Sequence, residues 1–381
     1  MSAKREPMEL PWTLRTAPHA VLDILRGCNI RCRACYNRSS GLSCRSLEQV
    51  KDDYEKIMAF RPVSTFGLIG GEPLLHPELL SIIRFLKERK HAVEIFTNGL
   101  LLTPDLCRQL AEAGADLVFL HIGLGQIRKD LADCRSAGEV FRLRTEKAKM
   151  LCSAGIEAAF SVTLQRDTLN ELPELVRYFL SSPYMTYCLV TLFRDTEKTG
   201  QLTGSLEEGI TGTFTPYSSP QELSMEEVLN ALVRSGMRPF TRIMNSVSGS
   251  TPGWVNCMTA VHHGKHADDV LQCSPSGFEK RYIARFFRKH GRFPFYNKQN
   301  PLTARAQLLL NGLCGNGKNF PFLLRNIFRH ILMKRLIVQS IAHVAPDGRL
   351  DYCRNCPDIT VRNGKIVPVC VCDNMMSEHH V

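Results

Sequence analysis

This 381-residue sequence predicts an α/β fold centred on a parallel sheet, and two observations carry that expectation. From residue 19 to about 192 short apolar runs alternate with amphipathic stretches, and helix-capping or turn residues stand at the joints. Six successive strand-helix units of this kind imply parallel strands joined by right-handed crossovers. The pattern alone fits a doubly wound sheet or a partial barrel equally well.

The elements follow in order. His19 to Arg26 reads as the first strand, and Ser46-Leu47-Glu48-Gln49 as a capping box opening a helix to about Phe60. Val63 to Ile69 is the second strand. Pro77 to Lys90 carries a helical stripe of Leu79, Leu80, Ile82, Ile83 and Leu86, and Ala92 to Phe96 is the third strand. Thr103 caps the next helix, Pro104 fits its first position and Gly114 its end. Asp116 to Ile122, Ile156 to Thr163 and Met185 to Phe193 complete the strands, with helices over about Glu139 to Ser153 and Leu169 to Ser181. Asp195 to Ser224 is rich in Gly, Thr, Ser and Pro and reads as a loop, and Met225 to Gly236 as a helix. The expected divisions are an N-terminal arm (1–18), the strand-helix core (19–194), a linker and helix (195–239) and a smaller, irregular, cysteine-bearing basic domain (240–381).

Hydrophobic residues make up 44% and charged residues 22% of the chain, as in ordinary globular proteins. Fifteen cysteines are not ordinary. An odd count excludes complete internal disulfide pairing, and Met1 to Leu14, charged and broken by Pro7 and Pro11, does not read as a secretory leader. A reducing cytoplasm with free and metal-bound thiols is the expectation. No run of eighteen uncharged apolar residues suggests a transmembrane helix. The net charge is +11, with Lys280, Arg281, Arg285, Arg288, Lys289 and Arg292 set against a lone Glu279. Without an RNA- or DNA-binding motif, nucleic acid is not the expected partner. Phe320 to Val344 mixes apolar and basic residues that do not fall on one helical face, so peripheral membrane contact is a minor reading.

The densest chemistry lies in Cys28-x3-Cys32-x2-Cys35, directly after the first strand. Zinc sites and ordinary [4Fe–4S] clusters take four ligands. Three on one short loop would leave one iron open to a small molecule, whereas a zinc knuckle is the plain alternative. In stacked strand-helix units, functional loops sit at the carboxyl ends of strands. Gly70-Gly71-Glu72-Pro73 follows the second strand, with glycines that admit a close backbone approach and a carboxylate suited to an ammonium group. Thr97-Asn98-Gly99 follows the third.

The cysteine triplet with the aromatic Tyr36, together with Gly70 to Pro73, resembles the radical S-adenosylmethionine (radical SAM) superfamily. The resemblance favours a partial (β/α)6 TIM-type barrel followed by a C-terminal cysteine-rich α+β domain. It implies a [4Fe–4S] cluster on Cys28, Cys32 and Cys35 whose open iron chelates the amino and carboxylate groups of SAM. One electron would then cleave the sulfonium, and the resulting 5′-deoxyadenosyl radical would take a hydrogen atom from substrate. Gly70, Gly71, Glu72 and Pro73 would engage the methionine moiety, Thr97 and Asn98 would lie beside the nucleoside, and Ser161 or Thr163 would reach the ribose. Flavodoxin or ferredoxin would be the electron donor, and the substrate a peptide or small molecule. His121, ending the fourth strand, is a proton-transfer candidate or a structural histidine.

A second cysteine group follows at Cys353-x2-Cys356 and Cys370-x-Cys372, with Arg362-Asn363-Gly364-Lys365 as a hairpin turn between them. Cys370 and Cys372 are expected to share a strand face. Three ligands are then Cys353, Cys356 and Cys370, and the fourth is Cys372 or the distant Cys314. The position resembles SPASM or twitch-type extensions that hold auxiliary Fe–S clusters, although the spacing departs from the full SPASM pattern; a zinc ribbon is the alternative. Cys257 and Cys273 are candidates for a further site, and Cys44, Cys107, Cys134, Cys152 and Cys188 read as structural. His262-His263-Gly264-Lys265-His266 offers metal-ligand types without a helix to set their spacing. The two other functional readings are a catalytic core carrying structural zinc in its C-terminal domain, and a non-catalytic metal-stabilised binding protein.

Overall fold

The computed structural model describes residues 6–10, 12–32, 35, 37, 41–131, 136–194, 201–213, 219–243, 252–264, 268–290, 301–344 and 350–375. Six strands, β1 (His19–Arg26), β2 (Thr65–Gly70), β3 (Ala92–Thr97), β4 (Leu117–Leu120), β5 (Glu157–Leu164) and β6 (Met185–Leu192), lie side by side in chain order, all parallel. Between them run α1 (Leu47–Phe60), α2 (Leu79–Glu88), α3 (Pro104–Ala113), α4 (Ala137–Ser153) and α5 (Leu172–Ser181). The expected partial barrel is therefore present, with strand order set by the simplest crossover rule.

Local chemistry places these elements. Ser46 accepts from the Gln49 amide while Gln49 returns a bond to the Ser46 amide, closing the capping box of α1. Thr103 caps α3, Pro104 occupies its first turn, and Gly114 ends it at φ 102°. Leu22, Ile24, Leu68 and Ile95 are buried with the inner faces of the helices. Alternate residues point the other way, so Phe119, Ala159 and Leu189 form a second apolar cluster inside the curve of the sheet. Phe96 stacks on Phe119 there at 4.5 Å between centroids.

The remainder corrects the expectation of irregular structure. Residues 201–213, read as loop, form an antiparallel hairpin of Gln201–Ser205 and Gly209–Thr213, and α6 (Met225–Arg234) follows as expected. Beyond it β7 (Pro239–Ile243), β8 (Trp254–His262) and β9 (Leu332–Gln339) join the main sheet. β9 pairs parallel with β6, from Tyr187 opposite Arg335 to Thr191 opposite Gln339, and is a seventh parallel strand. β8 and β7 extend the sheet antiparallel, and Met8–Glu9 of the N-terminal arm edges it beside β7. Of three further helices, α7 (Gly277–His290), α8 (Pro301–Leu313) and α9 (Asn319–Arg325), the last two pack around a small core that includes Cys273, Leu308, Phe322 and Met333, while Ile283 and Phe287 of α7 pack against a separate cluster of Trp12, Ala17 and Ile243. The mixed stretch 320–344 is thus a short helix and a strand, not one surface helix. No helix among the described residues is long and apolar enough to cross a membrane.

The C-terminal hairpin of Ile359–Arg362 and Lys365–Pro368 turns at Asn363 and Gly364, both with positive φ, as its sequence predicts. It lies against β1: Asp358 pairs with His19 at 2.8 Å and Arg362 with Asp23 at 2.6 Å. Cys353 Sγ lies 3.9 Å from the Ser340 carbonyl, just past β9. The extension therefore touches both edges of the parallel array and bridges the gap that an incomplete barrel leaves.

Candidate functional site

Cys28, Cys32 and Cys35 sit on the loop leaving β1, the first and third exposed and Cys32 half-buried. Arg31 and Cys32 pair antiparallel with Ile127 and Gln126, which fixes the middle of the loop against the segment after β4. Two side-chain amides reach the sulfurs: Asn98 Nδ2 lies 3.5 Å from Cys28 Sγ and Gln126 Nε2 3.4 Å from Cys32 Sγ. Burial, followed by the neighbouring Cys35 and Cys28 thiols, pushes Cys32 up to about 12. Such a thiol is ionised at neutral pH only when a metal replaces its proton. Exposure of Cys28 and Cys35 beside this buried partner suits a group held at the rim with one side open.

The Gly70-Gly71 step has a structural cause. A Cβ on Gly71 would stand 1.8 Å from the Gly27 carbonyl oxygen, and one on Gly70 2.2 Å from that of Leu25. The backbones of the first two loops touch here, through Gly71 N to Leu25 O at 2.8 Å and Glu72 N to Gly27 O at 3.0 Å. Glu72 differs from its expected role of facing a ligand. Its carboxylate is buried and accepts from Thr97 Oγ1 at 2.6 Å, Asn98 N at 2.7 Å and Leu74 N at 3.0 Å. Burial raises this carboxyl, and those three donors oppose the rise. Glu72 therefore locks the second loop to the third, while Pro73 begins a buried 3-10 turn. Asn98 completes the lock by donating to Asn29 Oδ1 at 2.7 Å.

Gln126 and Arg128 carry weight that their sequence context did not signal. Gln126 also donates to the His121 carbonyl at 2.9 Å, and the buried Arg128 binds Gln126 Oε1, the Asn98 carbonyl and Asp130. Their one legible cue was position on the loop after the fourth strand. His121 Nδ1 lies 3.0 Å from Ser161 Oγ, and burial, then the charges of Arg144 and Arg128, push its pKa down to about 4. A neutral, hydrogen-bonded imidazole results, which fits the structural reading of His121 at neutral pH. Tyr36 lies outside the described residues.

One cavity of about 930 Å³ collects the carboxyl ends of these strands. Its wall includes Cys28, Cys32 and Cys35, Gly70 and Gly71, Thr97 and Asn98, His121, Ser161 and Thr163. A smaller cavity of about 310 Å³ adjoins it and shares Cys32, His121 and Thr163. Glu72 and Pro73 line neither. The larger cavity continues past Phe96, Leu189 and Arg194 to His19, Asp358 and Cys370.

In the second cysteine group Cys353, Cys356 and Cys372 are buried and Cys370 is half-buried. Cys353 and Cys356 are raised by burial first and then by each other or Cys370, so these three thiols lie within electrostatic reach. Asp358 adds to the rise at all three, placing a carboxylate near them that the sequence reading did not include. Arg61, 1% exposed, donates to the carbonyls of Cys356 at 2.9 Å and Pro357 at 2.7 Å, and also to those of Leu14 and His19.

Cys372 departs from expectation. Residues 369–374 form a 3-10 turn, not a strand, so Cys370 and Cys372 share no strand face. Cys372 Sγ lies 3.3 Å from Arg362 Nη2, and its ligand atom falls within 4.8 Å of those of Asp23 and Asp373. Those carboxylates are already matched by Arg362 and by Arg26 at 2.6 Å, which makes this an ion-pair network in place of a cation site. The other proposed fourth ligand, Cys314, is exposed after α8, whereas Cys353 and Cys356 are buried against Arg61. Tetrahedral zinc with bonds of about 2.3 Å places its sulfurs roughly 3.8 Å apart. Among the described residues the one group of three candidate ligand atoms within 4.8 Å is that of Asp23, Cys372 and Asp373, so neither cysteine set is drawn in to zinc spacing.

The other candidates do not converge here. Cys257 and Cys273 are buried in separate apolar clusters. His262 Nδ1 meets the His330 carbonyl and His263 Nδ1 meets Asp268, while Lys265, His266 and Cys134 fall outside the described residues.

Comparison with known proteins gives a consistent picture. The Radical SAM superfamily profile matches residues 22–179. The tungsten-containing aldehyde ferredoxin oxidoreductase cofactor-modifying protein of Pyrococcus furiosus is 29% identical over 175 residues, 42% of this chain and 47% of its own. PqqA peptide cyclase of Bradyrhizobium diazoefficiens is 24% identical over 164 residues, 41% of this chain and 42% of its own. These matches span under half the length of the curated relatives. The structure of Streptococcus suis SuiB bound to S-adenosylmethionine covers 49% of this chain and 42% of its own, with 14% identity and a TM-score of 0.38.

Proposed function

We propose that this chain, whose residues 22–179 match the Radical SAM superfamily profile, reductively cleaves S-adenosylmethionine and uses the radical formed to take a hydrogen atom from a substrate held in the large cavity. The observation that carries the reading is the shared wall of that cavity, where the three cysteines of the first loop meet residues of the next four strand ends. A [4Fe–4S] cluster bound there supplies the electron that splits SAM into methionine and a 5′-deoxyadenosyl radical.

In this reading Cys28, Cys32 and Cys35 would hold the cluster, and Asn98 and Gln126 donate hydrogen bonds to the Cys28 and Cys32 sulfurs. Gly70 and Gly71 present backbone to the methionine end of SAM. Glu72 acts as a positioning residue, fixing Thr97 and Asn98 beside the ligand. Ser161, Thr163 and the smaller cavity receive the nucleoside. Phe96, Leu189 and the cavity beyond them exclude water and admit the substrate.

Cys353, Cys356 and Cys370 would hold an auxiliary Fe–S cluster, with the Asp358 carboxylate within electrostatic reach of all three. A peptide is the favoured substrate class, because PqqA peptide cyclase is named for one. Anaerobic reconstitution with iron and sulfide, followed by SAM and dithionite, tests the reading. Formation of 5′-deoxyadenosine is the expected result, and a chain that retains only zinc and leaves SAM intact contradicts it.

A further inference from the structure

The described part of α7–α9 has a surface that the reaction does not use. From Lys280 to Pro346 the sequence contains no aspartate or glutamate, while Lys280, Arg281, Arg285, Arg288, Lys289, Arg305, Lys318, Arg325 and Arg329 punctuate it. This acid-free stretch is the main source of the net charge of +11. α8, α9 and the turn after α9 expose large apolar side chains: Phe328 is 95% exposed, Leu302 74%, Leu324 71% and Leu313 67%.

The apolar side chains gather on α8, α9 and the turn after α9, and the basic ones run along α7. Leu302, Leu309 and Leu313 recur at helical spacing along one side of α8, while Leu308 and Asn311 on the other side are buried. Arg305 donates to the Arg329 carbonyl, which holds the segment with Ile327 and Phe328 beside the middle of α8. Gln307 and Asn311 bind Glu279 and tie α8 to α7. That helix stacks Phe278, Tyr282, Phe286 and His290 in a ladder, with exposed Lys280, Arg281, Arg285, Arg288 and Lys289 around it. Glu279, the acid next to the stretch, is buried in those bonds and contributes nothing to the surface.

We propose that α7–α9 form a pad that docks the protein on an anionic lipid bilayer. Exposed leucine and phenylalanine enter the acyl boundary, and the surrounding lysines and arginines meet the headgroup charge. Charge complementarity selects an anionic surface, and the exposed aliphatic side chains select an interface with an apolar interior. A nucleic acid would use the same charges but leave Leu302, Leu313 and Leu324 without a role.

Flotation of the full chain with vesicles tests this. Vesicles of phosphatidylcholine and phosphatidylglycerol at 3:1 are expected to carry the protein up the gradient at low salt, and phosphatidylcholine alone is not. The exposed triple variant Leu302→Ser/Leu324→Ser/Phe328→Ser is expected to lower partitioning by roughly tenfold or more. Arg281→Ser/Arg285→Ser/Lys289→Ser is expected to lower it on the order of 100-fold. Both sets are surface changes, and an unchanged thermal midpoint is expected for each. Absence of vesicle binding overturns the proposal, as does binding that the triple apolar variant retains in full. Concentration-dependent self-association lost in the apolar variant, without vesicle binding, would assign the pad to a second copy and also overturns it. Binding of single-stranded RNA unaffected by the apolar variant, again without vesicle binding, does the same.

Discussion

The two cysteine groups meet one cavity unequally, the first through Cys28, Cys32 and Cys35 and the second through Cys370. Cys28 and Cys35 are exposed on a rim loop whose partners are side-chain amides, whereas Cys353 and Cys356 are buried behind the Arg61 guanidinium. Metal sites divide along the same line, with open sites that leave a position for a small molecule and closed ones that do not. Under the proposed function the first group would carry the chemistry and the second electron storage or architecture.

Separating the groups by mutation gives the largest expected effect. Cys32→Ala should abolish 5′-deoxyadenosine formation, a loss of at least about 1000-fold, while iron bound at the second group persists. Cys356→Ser should remove that second iron but leave SAM cleavage without substrate within roughly tenfold of wild type. Iron analysis with product quantification reads both, and equal loss of cleavage in the two variants would erase the distinction.

Arg61 is one of the bonds between the regions, beside His19–Asp358 and Asp23–Arg362, and Arg61→Met should cost on the order of 3 kcal/mol, because the carbonyls of Leu14, His19, Cys356 and Pro357 lose their donor. Chemical denaturation measures it, and a loss below about 1 kcal/mol would show the extension to be held elsewhere.

The six barrel strands were legible because apolar runs alternate with amphipathic helical stretches, one of them marked by Thr103, Pro104 and Gly114. β9 was not, because Lys334 and Arg335 interrupt its apolar pattern. Lys334 is buried only because its ammonium caps α5 at the carbonyls of Phe179 and Ser182, and Arg335 lies over the Tyr187 ring at 5.5 Å. Both explanations are tertiary. Spacing likewise disclosed the cysteine triplet, whereas Gln126, Arg128 and Asp358 matter only for what folding sets beside them. Cys372 shows the converse, since sequence proximity to Cys370 did not survive the 3-10 turn.

Smaller effects sharpen the same contrast. Glu72→Gln keeps the shape but leaves one acceptor oxygen for three donors, so the apparent KM for SAM should rise about tenfold with a stability loss of about 1–2 kcal/mol. An unchanged KM would remove Glu72 from positioning. Lys334 is pushed down to about 7 by burial, so between pH 7 and 10.5 the unfolded chain binds more protons there than the folded one. Its penalty on stability is therefore full below about pH 7 and is relieved as pH rises through that window. Wild type should gain on Lys334→Met in melting temperature from pH 7 to 9.5, and a constant difference would show that Lys334 does not titrate there.

The central claim is that the first cysteine group holds a cluster with an open coordination position. Electron paramagnetic resonance of the reduced Cys353→Ser/Cys356→Ser variant, recorded with and without SAM, tests it most directly. The account predicts a [4Fe–4S]⁺ signal whose g values shift when SAM is added. A signal that SAM leaves unchanged, or no iron in that variant, would contradict it.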